Sequence, residues 1–202
     1  MNSSQSQTCS AFAGSNLLAS GELAQVAVAA KAALDGGESA SILIFDDVTS
    51  QLVEVDFRGT ATDVAQRLAA STVAEPALEP AVQANDEPAR GRGRPKLGVV
   101  PREVTLLPRH WEWLNAQPGG ASVALRKLVE AARHANEGKD RQRKAQEACY
   151  RFMAAMAGDQ PGFEEASRAL FAGDTVQWAS QIARWPTDIR NHADKLAAAA
   201  FA

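Results

Sequence analysis

Along the 202-residue chain the spacing of apolar residues switches repeatedly between two periods, and each switch predicts an element. The runs "CSAFAG" and "NLLASG" have strand length, with Gly14-Ser15 between them as a turn signal and Gly21 closing the pair. Leu23, Val26, Ala27, Ala30 and Leu34 then recur at helical spacing, which predicts a helix from Glu22 to Leu34, stopped by Gly36-Gly37. "SILIFDD" and "QLVEVDFR" return to strand length, joined by a turn over residues 47–50. In the second of them Val53, Val55 and Phe57 alternate with Glu54, Asp56 and Arg58, so one face should be buried and the other wet. Thr60, with Asp63 three residues on, has the form of a capping box for a short helix that turns Val64 and Leu68 inward. The predicted order over residues 9–70 is ββαββα.

Beyond Ala70 the pattern lapses. Residues 71–89 are mostly Ala, Pro and Glu with no aromatic residue, which predicts a disordered linker running on to residue 97. Structure resumes with "REVTLLP", which is strand-like, and a helix from Pro108 to Gln117 with Trp111 and Leu114 on one side. "PGG" breaks it. A second helix, from Ser122 to about His134, carries Val123, Leu125, Leu128, Val129 and Ala132 as its buried stripe. Further helices are predicted over 140–156, 163–171, 175–184 and 187–201, separated by Pro161-Gly162, Gly173-Asp174 and Pro186. The fold class is therefore α+β: an α+β unit at 9–70, a linker at 71–97 and a helical domain at 98–202 that opens as strand-helix-turn-helix.

Composition adds limits. With 46% hydrophobic residues the chain can build one sizeable core or two small ones, and the linker favours two. Neither a basic leader followed by an apolar run nor a stretch near about 20 apolar residues is present, so a cytoplasmic protein away from the membrane is expected. Cys9 and Cys149 lack metal-binding spacing and are expected as reduced, packed thiols. A net charge of -3 argues against a generic polyanion binder. Its distribution changes that picture: Glu75, Glu79, Asp86 and Glu87 lead directly into Arg90, Arg92, Arg94, Lys96, Arg102 and Arg109.

Within the basic strip, Arg92-Gly93-Arg94-Pro95 resembles the core of the AT-hook. Glycine clears the groove floor and Pro95 holds an extended backbone, so two arginines can lie along a narrow A·T-rich minor groove where the negative potential is strongest. The resemblance implies Arg92 and Arg94 in the groove, with Arg90 and Lys96 on phosphates. The segment upstream departs from the pattern, because Asp86-Glu87-Pro88-Ala89 stands where hooks usually carry more cations.

Residues 99–135, as basic arm, short strand, helix, Gly turn and second helix, resemble the ribbon-helix-helix repressors. That resemblance implies a strand at Arg102 to Leu107 paired across a dimer, and a phosphate-facing turn at Gly119 to Ser122. Counted back from Pro108, the strand would point Val104 and Leu106 at the groove and bury Glu103, against the needs of a base-reading ribbon. A helix-turn-helix arrangement fits better, with Arg126, Lys127 and Arg133 on the recognition helix. Over nearly its full length the chain also resembles an uncharacterised bacterial family, domain of unknown function 2239. The resemblance is carried by "ILIFDD", "RGRGRPKLGVVPREVTLLPRHWEWL", "QPGGASVALRKLVEAAR", "YRFMAAMAGD" and "GFEEASRALFAGD". It implies a bacterial cytosolic protein and brings no activity with it.

No catalytic or metal-ligating set emerges. Asp46, Asp47, Glu54 and Asp56 read as solvated hairpin residues, His110, His134 and His192 fall on different helices, and His134 fits a helix C-terminus. Trp111 belongs to a buried stripe and Trp113 is the freer of the two. "QPGGAS" lacks the Gly-Lys-Ser/Thr end of a phosphate loop. The expectation is a non-enzymatic DNA-binding protein without cofactor, with a second copy of the chain as a further candidate partner. The alternative is a protein-interaction adaptor whose basic ribbon is only a tether.

Overall fold

The computed structural model describes residues 7–73, 100 and 102–202. From residue 74 the predicted linker, together with Arg90 to Lys96, lies outside the described residues. Two compact units emerge, one formed by Met1–Glu75 with Glu137–Ala202 and the other by Pro76–Asn136. The helices that the linear reading of the chain assigned to one domain with residues 98–136 are thus grouped, from residue 137 on, with the sheet.

The first unit is organised by a three-stranded antiparallel sheet of β1 (Thr8–Ala13), β2 (Asn16–Glu22) and β3 (Ile42–Asp46), in the order β2-β1-β3. Gly14, at φ 54°, takes the left-handed conformation in the tight turn between β1 and β2. The period of two along a strand sorts side chains between two covered faces. Cys9, Ala11 and Ile44 meet Val26 and Ala30 of α1 (Leu23–Asp35) on one of them. On the other, Phe12 and Phe45 meet Cys149, Phe152 and Met153 of α4 (Gly120–Met156) and residues of the last helices. Those are α5 (Phe163–Ala172), α6 (Thr175–Ile182) and α7 (Thr187–Ala200).

Local chemistry accounts for the helix boundaries. Thr60 and Asp63 form the predicted box at the start of α2 (Ala61–Val73): Asp63 Oδ2 accepts from Thr60 N at 2.8 Å, and Thr60 Oγ1 accepts from Asp63 N at 3.3 Å. Thr60 N and, at 2.8 Å, Thr60 Oγ1 donate to the Asp63 carboxylate and hold it below its ordinary pKa. Asp174 caps α6 by accepting from Gln177 N at 2.9 Å. Gly173, at φ 73°, closes α5 in the left-handed conformation.

Three predicted elements differ from the structure. "QLVEVDFR" is not a fourth strand: it makes one bridge, Leu52 with Phe45, flanked by two ladder-like bonds, Val53 N to Ile44 O at 2.8 Å and Asp46 N to Gln51 O at 2.9 Å. Beyond them its backbone turns to local partners. Arg58 N donates to Asp56 Oδ1 at 3.0 Å, and Arg67 of α2 bonds the carbonyls of Asp56 and Arg58 at 2.6 and 2.5 Å. Val53, Val55 and Phe57 still pack against the α1 face, so the alternation reports burial without ladder pairing. "REVTLLP" is extended, with no strand partner among the described residues.

The third difference is the helix break expected between His134 and Asp140. α4 runs unbroken through it as a 37-residue helix, about 55 Å long. Gly138 costs a helix only about 1 kcal/mol. Side-chain pairs along the helix act against that cost, with Arg143 3.0 Å from Asp140 and 3.9 Å from Glu147. His134 therefore sits in mid-helix, 3.1 Å from Glu130, and not at a C-terminus.

Two further expectations concern side chains. Asp47 is not a solvated turn residue, since its side chain is only 13% exposed and meets Ser10 and Lys195. Both cysteines are free and buried. Burial pushes the Cys9 thiol up to about 11 and the Cys149 thiol up to about 12, which leaves both protonated and inert.

Candidate nucleic-acid interface

The second unit contains α3 (Pro108–Asn115) and the first part of α4. Pro108 opens α3, and residue 107 before it is held extended with no side-chain cap. The chain then reverses in four residues. Gly120 N donates to Gln117 O at 2.9 Å, and Gly119 and Gly120 take φ values of 88° and 76°. A side chain at either position would be strained, and at Gly119 it would also press on Val123 at 3.2 Å. Two successive left-handed glycines thus bring the start of α4 next to the end of α3. The first backbone N–H groups of α4 have no intrahelical acceptor.

Among the predicted contact residues, Arg90, Arg92, Gly93, Arg94, Pro95 and Lys96 lie outside the described residues. Arg102 lies in the extended approach to α3, Arg109 in its first turn, and Arg126 and Lys127 in the second turn of α4. All four are exposed. Among the described residues no carboxylate pairs with them; Arg126 makes one bond, Nε to Ser122 O at 3.2 Å. Arg133, by contrast, lies 3.6 Å from Glu130, which His134 also approaches. On a helical projection Arg126, Arg133 and Lys127 fall on the side of α4 opposite Leu125, Leu128 and Ala132.

Trp113 is exposed, and Trp111 is half-buried, short of the buried position expected for it. Beyond the second unit α4 carries exposed Lys139, Arg141, Arg143 and Lys144, cations that the expected break had set apart from this helix. A signal for them is the ion-pair spacing of Asp140, Arg143 and Glu147, which suits an exposed helix face. No group of three or more His, Cys, Asp or Glu residues suited to a metal ion occurs among the described residues.

A family model, "Uncharacterized protein conserved in bacteria (DUF2239)", matches residues 8–197. The chain belongs to the DUF2239 family. The match runs from β1 into α7, so the family's common ground is the sheet and its helices as well as the basic segment. No curated protein and no solved structure matches this DUF2239 chain. No helix among the described residues of this family member is long and apolar enough to cross a membrane.

Proposed function

We propose that this protein binds double-stranded DNA without catalysis, as a DUF2239 member that grips the duplex through its basic ribbon and the α3–α4 pair. The observation carrying this reading is that Arg102, Arg109, Arg126 and Lys127 are all exposed and unpaired with any carboxylate among the described residues. Cations held by their own acidic neighbours have little left to offer a phosphate; these four are available to one. Arg126 and Lys127 stand near the N-terminus of α4, where a recognition helix meets base edges and backbone. In this mechanism Arg92 and Arg94 lie along an adjacent A·T-rich minor groove, and Arg90 and Lys96 sit on phosphates. With no strand at 102–107, the helix pair is the reading unit.

The test is a salt titration on mixed-sequence and A·T-rich duplexes. Each phosphate contact contributes a log–log slope of about -0.9, so Arg126→Ala with Lys127→Ala should flatten the parent slope by about 2. A salt-independent response, or no binding at roughly 50 mM salt, overturns the proposal.

A second reading is favoured by the exposed apolar side chains of the same unit. Val104, Leu107, Trp113, Leu128 and Val129 are each about half exposed, more than a finished surface needs at such density. A protein partner covers them in this reading: a second copy of the chain, as a DNA-binding dimer requires, or the client of an adaptor.

A further inference from the structure

Three polar residues of α7 recur at i, i+4 and i+7, and they face the sheet: Asp188, His192 and Lys195. Asp188 Oδ2 accepts from Leu17 N of β2 at 2.9 Å. Lys195 Nζ lies 3.5 Å from Oδ2 of Asp47, in the turn after β3, whose Oδ1 accepts from Ser10 Oγ of β1 at 2.7 Å. His192, between these two links, is 6% exposed, and its Nε2 has no hydrogen-bond partner among the described residues. Its ring is 5.4 Å from Phe12 of β1 and 4.5 Å from Phe152 of α4.

We propose that the seam between α7 and the sheet is an acid-sensitive latch, in which a proton taken from solvent by His192 releases α7 from β1 and the turn after β3. A neutral imidazole suits the seam, packing as a flat apolar body between two phenyl rings. An imidazolium does not, because burial strips its hydration, its Nε2 has no acceptor among the described residues, and Lys195 repels it.

The charged groups facing it are Lys195 on its own helix, which repels it, and Asp47, whose two oxygens are already engaged by Ser10 and Lys195. From β1 and α4 the facing groups are the Phe12 and Phe152 rings. The Cys149 thiol of α4 is uncharged and points to Ala193 O at 3.6 Å. Burial, and then Lys195, lower the pKa of His192, against the smaller opposing pull of Asp47. The sign follows. The released state binds the proton more tightly, so closure is fully stable above the ordinary histidine value near 6.5 and weakens as pH falls below it.

The experiment is amide hydrogen exchange on the full chain between pH 7.5 and 5, corrected for the intrinsic pH dependence of exchange, with α1 on the far face of the sheet as internal reference. The opening constant of α7 should rise by up to about tenfold per pH unit below roughly 6.5, while α1 stays protected. Trp178 emission should shift in parallel, because its Nε1 is bonded to Asp194 of α7 at 2.8 Å. His192→Phe should abolish the rise, and Asp47→Asn, which removes the opposing charge and one link, should raise the opening constant at every pH and extend the rise to lower pH, with its onset still at about 6.5. Constant α7 protection, the same rise in His192→Phe, or equal loss of α1 protection overturns the latch. Should His192→Phe lack the parent's far-UV spectrum at pH 7.5, Asp47→Asn decides, and a total rise smaller than the parent's is then the refuting result.

Discussion

The two units divide the chain's apolar residues very unequally. In the first, Phe12, Phe45, Phe152, Met153, Leu170 and Ile182 are almost wholly buried, and they draw on both ends of the sequence. Between residues 102 and 136 of the second, only Leu114 and Ala124 are buried. Helix capping does not follow that division: α2 and α6 of the first unit begin on side-chain caps at Thr60 with Asp63 and at Asp174, whereas its α1, α5 and α7, like α3 of the second, have none. A segment this small rarely holds itself together on its own apolar area, and below about 40 residues an added support is the rule. The difference teaches that the first unit carries its own apolar core, and that the described part of the second leaves cations and apolar groups exposed, the composition on which the proposed contact region rests.

The largest expected effect tests the dense side of that comparison. Phe152 is fully buried, with the rings of Phe45 and Phe12 at 5.2 and 5.4 Å. Phe152→Ala should cost about 3 to 5 kcal/mol in urea unfolding, in one transition shared by sheet and helices. Two separate transitions would dissolve the first unit into independent ends. A smaller effect tests its caps. Asp174→Ala removes the acceptor for Gln177 N and should cost about 1 kcal/mol, while leaving any DNA affinity of the second unit unchanged. A matching loss of DNA affinity would mean that the two units are not separable in function.

What was legible in the sequence follows the range of the forces involved. Turn glycines, the Thr60 box and the breaks before α5, α6 and α7 are decided within four or five residues, and local reading found them. The second cover on the sheet is decided by contacts more than 100 residues apart, such as Arg151 of α4 donating to the carbonyl of Thr49, which no local pattern encodes. One trace of it was present: in β1, Phe12 falls on the face opposite Cys9, Ala11 and Ala13, so a large apolar side chain stands on the side that a one-sided strand would leave polar. The join across residues 134–140 was missed because the apolar stripe lapses over the polar residues 136–139, although Gly138 among them costs a long helix little. In the candidate interface, sequence identified the cations, but it could not show that Glu130 engages Arg133 and leaves Arg126 and Lys127 unpaired.

The smallest expected effect bears on what covers the second unit. Leu107 stands at the N-cap of α3 in extended conformation, φ -66° and ψ 150°, with its side chain half exposed. In the isolated chain a leucine there gains little from burial and leaves the first N–H groups of α3 without a side-chain acceptor. Leu107→Ser supplies that acceptor, in line with His110 N, which now bonds the Leu107 carbonyl at 2.9 Å. Cap chemistry alone therefore predicts a gain of about half a kcal/mol in local stability, read as slower amide exchange in α3. A covering partner reverses the sign, because the same substitution removes an apolar side chain from an interface. If a second copy covers this face, sedimentation of Leu107→Ser should show a shift toward monomer with weaker DNA binding, although the helix itself is better capped. Improved exchange protection with unchanged mass and unchanged DNA affinity would remove Leu107 from any contact and leave the exposed cations as the whole of the proposed interface.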